Sequence, residues 1–508
     1  SRFDKRVSTA FAVFWLLVYV FVNLTSVSYL GALALEKIVN IPLVYGIIGL
    51  LLFSGIYSIY GGLTAVAWTD VVQVVVLILG GLVTTFLALD AVGNGSGVIA
   101  GMSNLYEGAK EHFVMIIPKG EIMIPDGEGG LKDAFLDLPG IAVILGAMWL
   151  TNIGYWGFNQ YIIQKGLAAK SIEEAKTGLI FAAYLKILIP LLVVIPGIAA
   201  WVLINKSTPE ELSAMLNIPI DQIGTIDKSD EAYPWLLKNF VPAGIRGLAF
   251  AALAAAIVSS LASMINSTST IFTMDIYKVY FNPDANNRQL VSTGRMVAVV
   301  ALLIAILVAP QLASLDQVFQ YIQEYTGYIY PGVVAVFCMG LFWRQITANA
   351  ALWTAIATIP TGIVFKVIYP EMPFILRMGY VFMILVLIAS VISFSEKKTY
   401  QNPDFDASSN GSRTVLGAFI LGIAGLATAI VGIVQFNAWA FIGIESAFMM
   451  ASLLIMLSII LYTNVKMKTA DSKSLSTDPV LYNTATPFNL AAAGIVLIVG
   501  SLYYFFWM

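Results

Sequence analysis

An all-α polytopic membrane protein with about thirteen transmembrane helices is the fold class this sequence predicts, and three observations predict it. Hydrophobic residues are 59% and charged residues 11% of the 508, where a soluble globular chain is about half apolar and about a quarter charged. Apolar runs recur along the whole chain at the length of about 20 residues that carries a helix across a bilayer core. Lysine and arginine are distributed unevenly between the loops that join those runs. The same composition excludes other classes. A net charge of −3 gives no basic field for nucleic acid. One cysteine, Cys338, leaves no internal disulfide, and one histidine, His112, leaves no HExxH zinc motif. No GxxxxGK[ST] phosphate loop occurs.

Inside lipid each backbone amide must pair within its own segment, so long apolar runs read as helices. The runs lie near 9–34, 41–60, 66–93, 139–163, 175–203, 243–274, 291–312, 319–343, 347–369, 373–395, 414–435, 440–463 and 488–507. With the N-terminus in the cytoplasm and the C-terminus outside, inner segments hold sixteen of the 27 basic residues and outer segments ten. That is the asymmetry topology demands. Two hydrophilic loops, near 94–138 and 204–242, fall outside, and 396–412 and 464–486 are inner linkers. The chain opens on Ser1 and enters its first span within about eight residues, as a piece of a longer protein would.

Spans that are polar in their middle carry the functional information. Lys186 sits in Phe181-Ala-Ala-Tyr-Leu-Lys-Ile-Leu-Ile-Pro190. Its ammonium either snorkels to the interface or donates hydrogen bonds to a polar solute in a wet cavity. Asn152-Ile-Gly-Tyr155-Trp156-Gly157-Phe158-Asn159-Gln160 mixes glycines, amides and aromatics, as a discontinuous helix at a midplane site does. An aromatic belt at a helix end is the alternative. The amides and ring faces suit a polyol better than an ion. Ala256-Ile-Val-Ser259-Ser260 puts two hydroxyls and a carbonyl on one helical turn, either for close helix packing or as oxygen ligands for Na⁺. Phe319-Gln-Tyr-Ile-Gln323-Glu324-Tyr-Thr-Gly327 is a polar span that faces a cavity or the outer interface. Asp70 begins the third span on the inner side, where it neutralises an entering cation or caps the helix.

At these residues the chain resembles the solute:sodium symporter family, and within it the bacterial sodium/galactose branch. The stretch Tyr57-Ser-Ile-Tyr-Gly61-Gly62-Leu-Thr-Ala-Val-Ala-Trp68-Thr-Asp70, the Tyr155 run, Lys186 in its helix, the Ala256–Ser260 turn and the Phe319–Gly327 run carry the likeness in order. It extends over residues 1–395 and resumes at the last span. The resemblance implies an inverted-repeat (LeuT-type) fold, with sugar bound midway across the membrane. By motif, Asn152, Lys186 and Gln323 resemble the sugar-binding positions. Tyr155, with Trp156 beside it, resembles the inner gate and Phe319 the outer gate. Ala256 (carbonyl), Ser259 and Ser260 resemble one half of the Na⁺ site, and Asp70 an acid on the sodium exit path.

The resemblance further implies that residues 1–93 are the last three helices of the first repeat and 139–343 the second five-helix repeat. Residues 344–508 are then peripheral helices, with an extra pair near 414–463. The chain then begins at the family's third core helix. Sodium-driven symport of a sugar, galactose or glucose, by alternating access in the cell membrane is the expected function, with no covalent chemistry. The same fold carrying sialic acid, inositol, proline or pantothenate, or a non-transporting membrane sugar sensor, are the rival readings. The expected partners are thus sugar, Na⁺ and lipid, and not nucleic acid.

Overall fold

The computed structural model describes residues 2–115, 117, 119–125, 130–137, 147–216, 218–226, 228–315, 317–343, 345–396, 409–434, 444–466 and 484–506, with 61–69, 125, 222, 409–414, 429, 431–434, 444–448 and 464–466 described by backbone alone. It is helical almost throughout. In chain order the helices used below are α1 (Lys5–Leu17), α2 (Thr25–Val39), α3 (Leu43–Val92), α4 (Trp149–Phe158), α5 (Gln160–Leu167), α6 (Ile172–Ile187), α7 (Ala243–Ile271) and α8 (Asn287–Val308). They continue with α9 (Val318–Gly327), α10 (Tyr330–Phe342), α11 (Ala348–Ile368), α12 (Phe374–Glu396), α13 (Ser409–Val434), α14 (Ile444–Lys466) and α15 (Thr486–Phe505). One antiparallel ribbon, Met123–Pro125 with Leu131–Asp133, lies in the first long loop.

Each of the thirteen predicted spans meets a helix among the described residues, although residues 139–146 of the fourth, 435 of the eleventh, 440–443 of the twelfth and 507 of the thirteenth lie outside them. Among the described residues nine helical segments are by length and apolar composition fit to cross a membrane, with Leu43–Tyr60 and Asp70–Val92 of α3 counted separately, or ten if α9 and α10 form one bent span. That test reaches nine or ten of the thirteen expected spans among the described residues. α13 and α14 are 26 and 23 residues long, and their described apolar parts are Val415–Thr428 and Met449–Thr463. A second difference is that 41–60 and 66–93 form one continuous helix of 50 residues, about 75 Å long at 1.5 Å per residue. Gly61-Gly62 weakens helix by about 1 kcal/mol per glycine relative to alanine, yet no proline lies between Leu43 and Val92 to end it.

The helix ends follow local chemistry. α2 stops at Asn40, whose left-handed φ of 57° lets its N–H return to the Glu36 and Leu35 carbonyls, and Pro42 precedes α3. Asn286 and Gln289 form a reciprocal capping box at α8. α9 and α10 meet at 41°, with Pro331 in the first turn of α10, where its missing N–H costs nothing.

The chain forms two compact units, each described here by itself. The first comprises Ser1–Phe14, Ile116–Ile163 and Gln323–Asn483. In it α10 packs on α4, α11 and α12, and α13 pairs with α14. The second comprises Trp15–Met115, Gln164–Ile322 and Thr484–Met508. Here α3 is the spine, packed on α2, α7 and α8. Side-chain hydroxyls tie its helices together: Ser58 donates to the Ala262 carbonyl at 3.1 Å and Thr85 to the Leu191 carbonyl at 2.8 Å. Between apolar helices such bonds act as adhesive. α15 has no charged residue and no buried one, an arrangement water would not tolerate but lipid does.

Candidate functional site

In the second unit the predicted ion turn lies on α7, which runs unbroken from Ala243 to Ile271. The Ala256 carbonyl is therefore engaged by the residue 260 N–H and offers only its second lone pair, rather than being free. Ser259 is buried, 3% exposed, whereas Ala256 is half-buried and Ser260 exposed. The Ser259 hydroxyl donates to the Asp70 carboxylate on α3. The other oxygen of that carboxylate accepts from the Lys165 ammonium on α5. Residue 70 lies inside an uninterrupted helix, so Asp70 is not the helix cap that was one reading of it. It sits instead against the very hydroxyl expected to hold an ion. About two turns further along α7, Ser267 donates to Gln164 Oε1 at 3.3 Å.

Sequence reasoning counted Lys165 only as an inner basic residue. The signal was available: Asp70 and Lys165 were assigned to the same side, and Gln160, Gln164 and Lys165 follow directly on the amide-and-aromatic run.

Lys186 also belongs to the second unit. It lies in the last turn of α6, one turn before Pro190 opens a π-helical stretch over Pro190–Val194, and it is exposed. Phe319, on the early part of α9, is 58% exposed.

In the first unit the Asn152–Gln160 run is discontinuous, as expected, but the glycines do not break it. Gly154 is buried, and a Cβ there would stand 2.6 Å from the Tyr330 ring, so it is a packing glycine. The break falls at Asn159, whose extended backbone (ψ 117°) ends α4. The Asn159 carbonyl then accepts from the Ile163 N–H at 3.0 Å to start α5. Asn152 is exposed and its amide donates back to the Met148 carbonyl at 2.9 Å. Tyr155 and Trp156 meet edge to face at 5.2 Å, and the Tyr161 hydroxyl donates to that of Tyr155 at 3.1 Å.

Gln323 is half-buried on α9, and its carbonyl accepts from the Thr326 hydroxyl at 3.2 Å. Its neighbour Glu324 is engaged by two cations. Lys366 on α11 donates to it at 2.7 Å and Arg377 on α12 at 3.5 Å. Asn152 and Gln323 thus fall in one unit and Lys186 in the other.

A multi-pass helical membrane protein that holds a partly buried carboxylate against a buried hydroxyl has the arrangement a carrier of ions and solutes can use. The chain belongs to the sodium:solute symporter family, whose model matches residues 1–358. It is 50% identical over 404 residues to the sodium/glucose cotransporter of Vibrio parahaemolyticus, covering 80% of this chain and 71% of that one. It is 33% identical over 375 residues to the human sodium/myo-inositol cotransporter 2, covering 71% of this chain and 52% of that one. Among solved structures, a substrate-bound, outward-open Na⁺-coupled sialic acid symporter shares the fold. It has a TM-score of 0.61 at 23% identity, over 78% of this chain and 75% of that one.

Proposed function

We propose that this chain forms the larger part of a carrier that takes up a sugar, glucose or galactose, driven by Na⁺. The observation that carries the reading is the buried Ser259 hydroxyl held against the Asp70 carboxylate. Hard cations take oxygen ligands, and this is a hydroxyl and a carboxylate prepared for one. Half-identity to a sodium/glucose cotransporter over most of the chain supports the choice of ion and solute.

In this reading Ala256, Ser259 and Ser260 supply part of the Na⁺ site, and Asp70 receives the ion as it leaves. Asn152, Lys186 and Gln323 donate and accept hydrogen bonds on the sugar hydroxyls. Tyr155 and Trp156 close the inner side of the sugar and Phe319 the outer side. Residues 1–93, as the last three helices of the first repeat, and 139–343, as the second repeat, take part in the relative rocking that alternates access. The N-terminus is cytoplasmic and the C-terminus external, as the basic residues favour.

Sodium entering on neutral oxygens carries its charge through the membrane field. A potential of 100 mV is then worth about 2.3 kcal/mol per ion, about fiftyfold in solute concentration at full coupling. Sodium must favour the state that binds sugar well, since a ligand shifts an equilibrium only by its differential affinity. The Lys165 ammonium already occupies one oxygen of Asp70, so Na⁺ reaching this carboxylate competes with a tethered cation. That makes the stop at Asp70 brief and helps release.

The test is sodium-driven uptake by the complete protein in vesicles. Lys186→Ala or Gln323→Ala is expected to abolish labelled galactose or glucose uptake with expression intact, and normal uptake in either would remove these residues from the site. Competition by unlabelled glucose, galactose, myo-inositol and sialic acid fixes the solute. Strongest competition by myo-inositol or sialic acid would overturn the glucose or galactose assignment.

A further inference from the structure

Between α3, α7 and α8 of the second unit lies a cavity of about 330 Å³ that the transport reading does not use. Hydroxyls of Ser58, Ser269, Thr270 and Thr273, the Asn266 amide and the Arg295 guanidinium line it, and no lining residue is a carboxylate. Thr273 is 5% exposed, and its hydroxyl has no hydrogen-bond partner among the described residues. A buried hydroxyl left so costs about 1–3 kcal/mol, which a ligand would recover. Gly294 keeps the space open. A Cβ there would stand 2.6 Å from Ser269 Oγ and 3.5 Å from Thr273 Oγ1. Thr273 also sits in the π-helical continuation of α7, Phe272–Phe281, an irregularity frequent at functional sites.

The ligand's sign follows from Arg295. Its guanidinium stands over the Tyr60 ring, 5.9 Å from the centroid, and among the described residues no carboxylate forms an ion pair with it. The Ser58 and Thr270 hydroxyls already donate to the Ala262 and Asn266 carbonyls, but an orienting ring, a guanidinium without a carboxylate partner and the Thr273 hydroxyl suit an oxyanion. The cavity's other wall is apolar and open, with Met274 44% and Val291 54% exposed. In a membrane that wall faces hydrocarbon, which a free phosphate ion cannot cover and an acyl chain can.

We propose that this cavity binds the phosphoryl headgroup of an anionic membrane lipid, with its acyl chain laid along Met274 and Val291. The proposal rests on the orientation given above only for the leaflet involved, which is the cytoplasmic one. There the negative surface attracts basic side chains, each worth about 1 kcal/mol.

The experiment measures lipid binding and not sugar uptake, so its failure is distinguishable from failure of the transport reading. The complete protein, purified in detergent, is titrated with phosphatidylglycerol, phosphatidylcholine or inorganic phosphate, and bound lipid is counted by native mass spectrometry. Wild type is expected to retain phosphatidylglycerol in preference to phosphatidylcholine. Arg295→Gln should bind it about fivefold more weakly. Thr273→Val, which conserves shape, should weaken it about threefold through one lost hydrogen bond. Arg295→Lys should keep most of the affinity and shows that a folded protein is being read. Equal affinity of wild type, Arg295→Gln and Thr273→Val for phosphatidylglycerol would overturn the site. Displacement of the lipid by millimolar inorganic phosphate would overturn the lipid in favour of the free anion.

Discussion

Asp70, in the second unit, meets one cation and one hydroxyl, Lys165 and Ser259. Glu324, in the first, meets two cations, Lys366 and Arg377. The carboxylates are similarly sheltered, their side chains 22% and 27% exposed. Their partners are not alike. Lys165 rides an eight-residue helix with 39% of its side chain exposed, so separating it from Asp70 costs little. Arg377 is buried, 9% exposed, and removing one partner from a buried pair is costly. Around Asp70 the charges balance, so an arriving Na⁺ finds a carboxylate once Lys165 yields. Around Glu324 one positive charge is in excess, so Na⁺ is repelled. In the proposed reading the surroundings, rather than the presence of an acid in a span, separate an ion-handling carboxylate at Asp70 from a structural one at Glu324.

The largest effect that sharpens this contrast is on stability. Arg377→Met is expected to lose about 3 kcal/mol, read as a lower Tm and poorer yield, while the sodium dependence of the protein that does fold is unchanged. A shifted sodium dependence at normal Tm would erase the distinction. Asp70→Asn should do the reverse. The sodium concentration for half-maximal uptake should rise about tenfold, equivalent to about 1.4 kcal/mol, with Tm nearly constant. Lys165→Gln is a test of sign. If Lys165 competes with Na⁺ for Asp70, half-saturation should fall by up to about fivefold, the ceiling of about 1 kcal/mol for an accessible pair. A rise would mean that Lys165 positions the carboxylate instead. Smallest are the hydroxyls of the ion turn. Ser259→Ala should raise the sodium requirement about threefold and Ser260→Ala, exposed on the same turn, by less. An unchanged requirement in both would remove the turn from the ion's path.

Much of the fold was legible because hydropathy is a one-dimensional property. A segment in lipid must satisfy its own backbone, so each helix announces itself by its run of apolar residues. The discontinuity after Phe158 was legible for the same reason, since amides crowd where backbone pairing fails. Its position was not. Gly154 looked like the weak point, and only the Tyr330 ring packed on it shows why that glycine is there. The continuity of α3 was also less legible: the apolar runs 41–60 and 66–93 read as separate spans, and the backbone stays helical between them.

The sequence by itself determined the membrane class, the helical segments, the family and the residue types suited to a sugar and a hard cation. These depend on composition and on spacings within single helices. Tertiary structure decided which charges meet. Asp70 is 95 residues from Lys165 and 189 from Ser259, and Glu324 is 42 and 53 residues from its two cations. A hydrogen bond needs atoms about 3 Å apart, and only the packing of one helix on another brings such distant residues that close.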